Sequence, residues 1–417
     1  MRSILQKRAL RFVFAANLVS MLGSGMNAAA VAWYILQATH SEIALGTFAV
    51  LQTIPAMLML PFTGVIIDRE DRRRLVMLLD AARAIIIVSV SLLAFAHRVK
   101  VWELYLMNTL VAAGFWMFWP TITALIQELT AGEELVHANT FLLAGIQGGW
   151  LIAGSIVGFV YNHIGLGGVL LIDCSTYVFS FLCYLGVRKG RHVVPRPAEL
   201  QSDILAAETA LERFGREMRE GIEFLRGNRP LVLLGVSWAL FLGAMMTGVV
   251  VTPPLSDKIF HKGAVGYGWL NAGWGVGAFI SAFYAPWCMA KFGARRLIGI
   301  SMGLLAICMM TAPLAPAFWL AVLAYGVMGT GRGLSGVAMN TSIMEQVPRH
   351  FMGRVQNTFY FAGTALQIAL AFLVGAVAQA NLVAGFSVIG IIYALAFVSA
   401  VWPVRASVAM RAASPAE

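Results

Sequence analysis

The charged residues that interrupt long apolar runs are where chemistry is to be sought. The densest group is Gly64-Val-Ile-Ile-Asp68-Arg69-Glu70-Asp71-Arg72-Arg73-Arg74-Leu75. A basic knot between two apolar runs marks a cytoplasmic turn, because cytoplasmic loops carry the excess of Lys and Arg. Topology accounts for Arg73 and Arg74, but not for Asp68 placed after Gly64. An anion at Asp68 suits the N-terminus of a facing helix, where unpaired amides and the helix dipole favour negative charge. Arg72 lies one turn further on and is placed to pair with Glu128, at the end of a later run. Asp80 and Arg83, three residues apart, share a helix face. With Arg69 these residues read as an ionic latch between two halves of the chain. Each exposed contact contributes about 0–1 kcal/mol, and several together tilt a two-state equilibrium.

Inside the apolar runs, Arg332 is the one ionisable residue this reading places near mid-membrane, in Gly329-Thr330-Gly331-Arg332-Gly333. An intramembrane arginine is costly and is by default a functional hypothesis. Two roles stay open for it: binding an anionic group of a substrate, or bonding backbone carbonyls of a neighbouring helix. Its glycine neighbours permit a close approach by a helix or a ligand. Asp173 is expected near the outer end of its run, as a proton-coupling site or a structural hydrogen-bond acceptor. Trp116 and Trp119 in one run, and Trp238 and Met245 in another, supply apolar wall. Asn27, Gln147 and Asn340 supply polar groups. A large apolar pocket with a few polar groups suits an amphipathic small molecule.

An enzyme needs a different constellation. Gly333-Leu334-Ser335-Gly336 resembles an intramembrane serine-protease motif, but that chemistry needs a histidine base in a nearby run. All seven histidines fall in loops or at run ends. The sequence holds no His-Glu-x-x-His and no phosphate-cradling loop, so neither a metal site, a cofactor nor ATP hydrolysis is expected. The four cysteines lie within apolar runs and read as reduced packing residues.

These residues must be positioned by membrane spans. The chain has 417 residues, of which 59% are hydrophobic and 12% charged, against about 25% charged in soluble domains. Runs long enough to span, roughly 20 residues, are read at Phe12–Leu36, Ile43–Ile67, Leu75–Ala96, Leu104–Ile126, Ala138–Tyr161 and Leu166–Val187. Six more follow at Leu231–Val251, Val265–Ala290, Leu297–Thr311, Phe318–Met344, Val355–Gln379 and Leu382–Val401. The fold class is therefore all-α, with twelve transmembrane helices in two six-helix bundles, 1–187 and 231–417. The segment 188–230 joins them. Within it Ala207, Leu211, Phe214, Met218, Ile222 and Leu225 recur at helical spacing, which predicts an amphipathic helix on the cytoplasmic face. With the N-terminus inside, 24 of the 30 basic residues fall on the cytoplasmic side. Both termini are thus expected in the cytoplasm, and the net charge of +10 needs no nucleic acid to explain it. The halves repeat: Glu128, Asn139, Thr140 and Phe141 correspond to Gln346, Asn357, Thr358 and Phe359 at one constant offset, and Arg73-Arg74-Leu75 answers Arg295-Arg296-Leu297. Such repeats place a site at their interface.

The motif Gly64, Asp68, Arg69, Arg72, Arg73 resembles the signature loop of the major facilitator superfamily. Ser20-x-x-Gly23, Trp33, Leu60-Pro61, Asp80, Arg83, Phe118-x-Pro120, Ile172-Asp173 and Gly353-Arg354-Val355 extend the likeness to its bacterial drug and siderophore exporter branch. The resemblance implies alternating access, spans one, four, seven and ten around the path, and Asp68 facing the start of span eleven near Gly353. It implies a monomer in the bacterial inner membrane whose partners are the lipid bilayer and a small amphipathic substrate, with possible proton coupling. A lipid or lysophospholipid transporter on the same fold is the alternative. The sequence departs from the branch at Ser24, where members often carry an acid, at Gly145-Ile-Gln147-Gly148-Gly149, which lacks a Gly-Pro pair, and at Ala290, which stands where Asp68 stands in the first half.

Overall fold

The computed structural model describes residues 7–130, 133–187, 210–348 and 351–401. Helix α1 covers Arg8–Thr39, α2 Glu42–Arg69, α3 Arg72–Phe95 and α4 Val101–Leu129. Helix α5, Glu133–Leu185, is broken at Gly165, whose φ of 64° and ψ of −173° lie in a region that is essentially glycine-only. The chain reverses there. The first arm runs parallel to α1, with Gly149 against Met21 and Tyr161 bonded to Gln37. The second arm runs antiparallel to it, with Asp173 beside Asn27 and Tyr184 beside Asn17. Helix α5 is therefore two passes.

A linker helix, α6, covers Ala210–Arg226. The second half follows as α7 Arg229–Pro254, α8 Gly263–Phe292, α9 Ala294–Thr311, α10 Phe318–Gln346, α11 Met352–Ala380 and α12 Leu382–Val401. Among the described residues, nine helical stretches are long and apolar enough to cross a membrane. Helices α8 and α10 are diluted by glycines and polar groups, yet at 30 and 29 residues they exceed the length needed for a roughly 30 Å hydrocarbon core. With α5 counted twice, the twelve passes read from the sequence are accounted for.

The turns explain where passes stop. Ser41, Asp71 and Asn228 cap α2, α3 and α7 by accepting from amides three residues on. His40 and His97 take positive φ of 51 and 54° just past α1 and α3, and His261 one of 51° just past the π turn Leu255–Ile259 that follows α7, the left-handed geometry that ends helices. These three turns share one face of the bundle. The opposite face carries Arg72, Arg73, Arg295 and α6, and is called the basic face below; the first is the far face.

Helix α6 lies on the basic face against the start of α11. Glu220 pairs with Arg354 at 3.0 Å, Phe224 stacks on Phe351 at 4.7 Å, and Gly221 lies against the Arg354 carbonyl and Thr358. The amphipathic stripe thus packs on protein. The part of the predicted helix before Ala210 lies outside the described residues.

Candidate functional site

A buried polar network occupies the interior of the first half. Asp80 and Arg83, 0% and 1% exposed, form an ion pair on α3. Ser180 donates to the second oxygen of Asp80 at 2.6 Å. The Arg83 guanidinium lies between two rings, 4.7 Å from Phe118 and 4.3 Å from Tyr177, and donates to the Tyr177 hydroxyl at 3.4 Å. Tyr177 in turn meets Ser24 at 2.8 Å. One turn away, Asp173 accepts from the Asn27 amide at 2.7 Å and from Thr176 at 3.4 Å. Gly23 makes this approach possible, since a Cβ there would overlap Thr176 and the Asp173 carboxylate.

Three expectations are corrected by this arrangement. Asp80 and Arg83 do not join the two halves; their partners all belong to the first. Asp173 is not near a span end: it lies eight residues past Gly165, about 12 Å along the helix, and is fully buried. Arg332 is therefore not the one intramembrane ionisable residue. The sequence showed these groups as helix-face neighbours but not that the second arm of α5 and α1 close over them. Asn27, 4% exposed and committed to Asp173, belongs to this network and not to a cavity wall.

At the basic face, Arg72 pairs with Glu128 at 2.9 Å and donates to the Ala124 carbonyl at 3.0 Å. Arg73 donates to the Tyr184 and Leu185 carbonyls at 2.7 and 3.0 Å. Both arginines thus brace the first half, and the carbonyls bonded to Arg73 are among the last of their helix, where intrahelical donors run out. In the second half Arg295 repeats the Arg73 contact, donating to the Ala400 and Val401 carbonyls at 3.2 and 3.1 Å. The ion pair is not repeated: Ala294 follows Arg72 in the repeat and Gln346 follows Glu128. Gly64 lies within α2, but the side chains of Asp68, Arg69 and Gln147 are outside the described residues, so the expected contact of Asp68 with span eleven is as well.

In the second half, Arg332 is half-buried on α10. Its guanidinium lies 4.8 Å from the Trp274 ring, and its Nε donates to the Met245 sulfur at 3.2 Å. The glycines around it are used by α8: a Cβ at Gly329 would overlap the Trp274 carbonyl and one at Gly333 the Ser281 hydroxyl. This small-residue seam sets α8 close to α10 and brings Trp274 over the arginine. Towards the basic face a cavity of about 200 Å³ is lined by Trp238, Asn340, Ile343, Gln356, Asn357, Phe359 and Tyr360. Trp116 reaches Tyr360 from the first half, edge to face at 5.6 Å. Trp119 instead packs on the first-half core around Phe118 and Ile122.

The halves are joined at the far face. Gly46 lies against the Ala371 carbonyl and Gly375 against Glu42 and Ile43, drawing α2 onto α11. Gly158 meets Gly268 and Ala264, drawing α5 onto α8. Trp33 stacks on Tyr267 at 6.0 Å. Glu42, whose side chain is fully buried, pairs with Lys258 at 2.7 Å, and its backbone N–H donates to Gln379 at 2.8 Å. Lys258 is carried on a π turn, Leu255–Ile259, directly after Pro253-Pro254 ends α7. The pairing was not read from the sequence.

Two repeated six-pass halves, fastened at one face and joined by a helix at the other, define a polytopic membrane-transporter architecture. The family model of the Major Facilitator Superfamily matches residues 13–362, and the chain belongs to that superfamily. It is 21% identical over 364 residues to macrolide efflux protein A of Streptococcus pyogenes, covering 86% of this chain and 85% of that protein. It is 23% identical over 359 residues to the multidrug efflux pump Tap of Mycolicibacterium fortuitum, covering 83% of each. It is 25% identical over 359 residues to the enterobactin exporter EntS of Shigella flexneri, covering 83% and 79%. Its fold matches a bacterial homologue of the iron transporter ferroportin in an inward-facing state with a TM-score of 0.73, at 14% identity over 95% and 99% of the two chains. A point mutant of the nucleoside transporter NupG matches with the same TM-score, at 13% identity over 94% and 98%.

Proposed function

We propose that this protein is a secondary-active exporter of amphipathic small molecules, working by alternating access as a monomer in the bacterial inner membrane. The basic face is cytoplasmic on this reading, with both termini on that side. The observation that carries it is the fastening of the halves at the far face by Glu42, Lys258, Gln379 and paired glycines, opposite a cavity towards the basic face. That arrangement is a conformation closed to the outside. The exporter names among the relatives support the direction.

Asp173 is the coupling group on this reading. It is a buried carboxyl that can gain or lose a proton, held by neutral partners beside a neutralised Asp80–Arg83 pair. Protonation changes what it can accept from Asn27, and so changes the join between α1 and α5. The test is uptake into inside-out vesicles with and without a pH gradient, across siderophore, macrolide and lysolipid panels. Gradient-dependent uptake of at least one siderophore or macrolide is expected, with the dependence lost in Asp173→Asn while the protein stays folded in the membrane. Uptake confined to lysolipids would replace drug export by lipid transport, and uptake indifferent to the gradient would remove the proton.

A further inference from the structure

The cavity towards the basic face has a definite chemistry. Three of its lining residues are carboxamide side chains, Asn340, Gln356 and Asn357, and three are aromatic, Trp238, Phe359 and Tyr360. Carboxamides offer donors and acceptors together, and aromatic faces offer flat apolar platforms. None of the lining residues is charged. Such a wall matches an uncharged ring bearing hydroxyl or carbonyl groups, with its edge on the amides and its face on an aromatic ring. At about 200 Å³ it is smaller than the roughly 300–1,000 Å³ of a pocket for a whole drug-sized ligand. It therefore takes one ring of a larger molecule.

Two further observations say where the rest of that molecule lies. Trp116 from the first half touches Tyr360, so the cavity borders the path between halves. Seven residues along α7 from Trp238, and so on the same helix face about 10 Å away, Met245 touches Arg332. A positive charge thus stands deeper on the wall that begins at the cavity. We propose that the cavity is a docking subsite for an uncharged polar ring of a soluble amphipathic cargo, and that the cargo carries no cationic group. This rests on the export reading only for the direction of movement; the binding chemistry does not depend on it.

The experiment is equilibrium binding to the full chain in nanodiscs. Three probes share a dansyl fluorophore and a hexyl spacer and end in a glucoside, a plain methyl group or a trimethylammonium group. The glucoside probe is expected to bind about tenfold more tightly than the methyl probe, and the trimethylammonium probe more weakly than either. Asn340→Leu and Gln356→Leu, both at exposed positions, are each expected to reduce the glucoside-to-methyl ratio about fivefold. The ratio is taken within each variant, so a general loss of folded protein does not imitate the result. Arg332→Gln is expected to bring the trimethylammonium probe up to the methyl probe. Equal binding of glucoside and methyl probes, an unchanged ratio in both leucine variants, or preference for the cation overturns the proposal. Displacement of the glucoside probe by glucosyl diacylglycerol in the disc at equal or lower concentration overturns the assignment to a soluble cargo. Selective binding with no gradient-driven uptake leaves the subsite standing and removes the export reading.

Discussion

Replacing Lys258 by Met removes the cation that faces a fully buried carboxylate across the two halves. Breaking a buried ion pair by deleting one partner costs about 3–5 kcal/mol. The Lys258 side chain is 39% exposed, so water screens part of the interaction and about 1–3 kcal/mol is the better figure. That energy is lost only from the conformation in which the far face is closed. On the proposed alternating-access reading, the ratio of closed to open far face therefore falls by about 5–150-fold. The assay is a distance measurement between spin labels on Arg98→Cys and Leu314→Cys, exposed positions at the far ends of opposite halves, with the four native cysteines replaced. Lys258→Met is expected to add a longer-distance population that is minor in the parent. Glu42→Gln is expected to add less of it, because the neutral amide can still accept from Lys258 and no bare charge is buried. The double variant Glu42→Gln with Lys258→Met should lie below Lys258→Met alone, since the stranded carboxylate is gone. An unchanged distance distribution in Lys258→Met, in protein that remains folded, refutes the argument that this pair holds the far face shut.

Gly23→Ala puts a methyl group into Thr176 and Asp173, an overpacking that costs about 1–3 kcal/mol; thermal unfolding in detergent should show a clear fall in midpoint. Asp80→Asn leaves Arg83 as a buried charge against a neutral amide, at a cost of about 3–5 kcal/mol. Paired with Arg83→Met it should recover part of that loss, and additive losses would show that the two are not coupled. Arg73→Gln and Arg295→Gln remove equivalent contacts to helix-terminal carbonyls and are expected to lower stability by similar amounts, about 1–2 kcal/mol each. Arg72→Gln disturbs an ion pair with 24% and 35% exposed side chains and should cost less than about 1 kcal/mol.

The spans, the repeat and the linker helix were legible because each depends on local pattern. An apolar run declares a pass, and a constant offset declares a repeat. The Arg72–Glu128 pair was legible because both residues sit at the ends of adjacent passes, where few groups compete. What could not be read was three-dimensional assignment of polar residues inside the bundle. Asn27 lies 146 residues from Asp173 and Ser24 lies 153 from Tyr177, and only the reversal at Gly165 brings them together. The latch role given to Asp80 and Arg83 failed for the same reason. Sharing a helix face fixes their contact with each other, not which neighbouring helix that face meets. Glu42 and Lys258 were invisible because their pairing depends on the π turn after Pro253-Pro254, a local irregularity with no periodic signal.

The basic loop divides once its two copies are compared. Arg73 and Arg295 make the same contact in both halves, which a helix terminus needs wherever it occurs. Arg72 and Glu128 occur in the first half, and both are replaced together in the second by Ala294 and Gln346. An asymmetry of this kind extends through the molecule. The buried ion pair and Asp173 belong to the first half; the uncharged cavity and Arg332 belong to the second. On the proposed reading, coupling chemistry and cargo chemistry therefore sit on opposite sides of the path, and some element must respond to both. Helix α1 has that position. Asn27 on α1 binds Asp173, and six residues further along Trp33 stacks on Tyr267 of the opposite half. A proton arriving at Asp173 changes one end of this segment, and opening the far face must break the contact at the other. Asn27→Ala should accordingly weaken the response of the far-face distances to pH while leaving glucoside binding at the cavity intact. A variant that loses both together would place the link elsewhere.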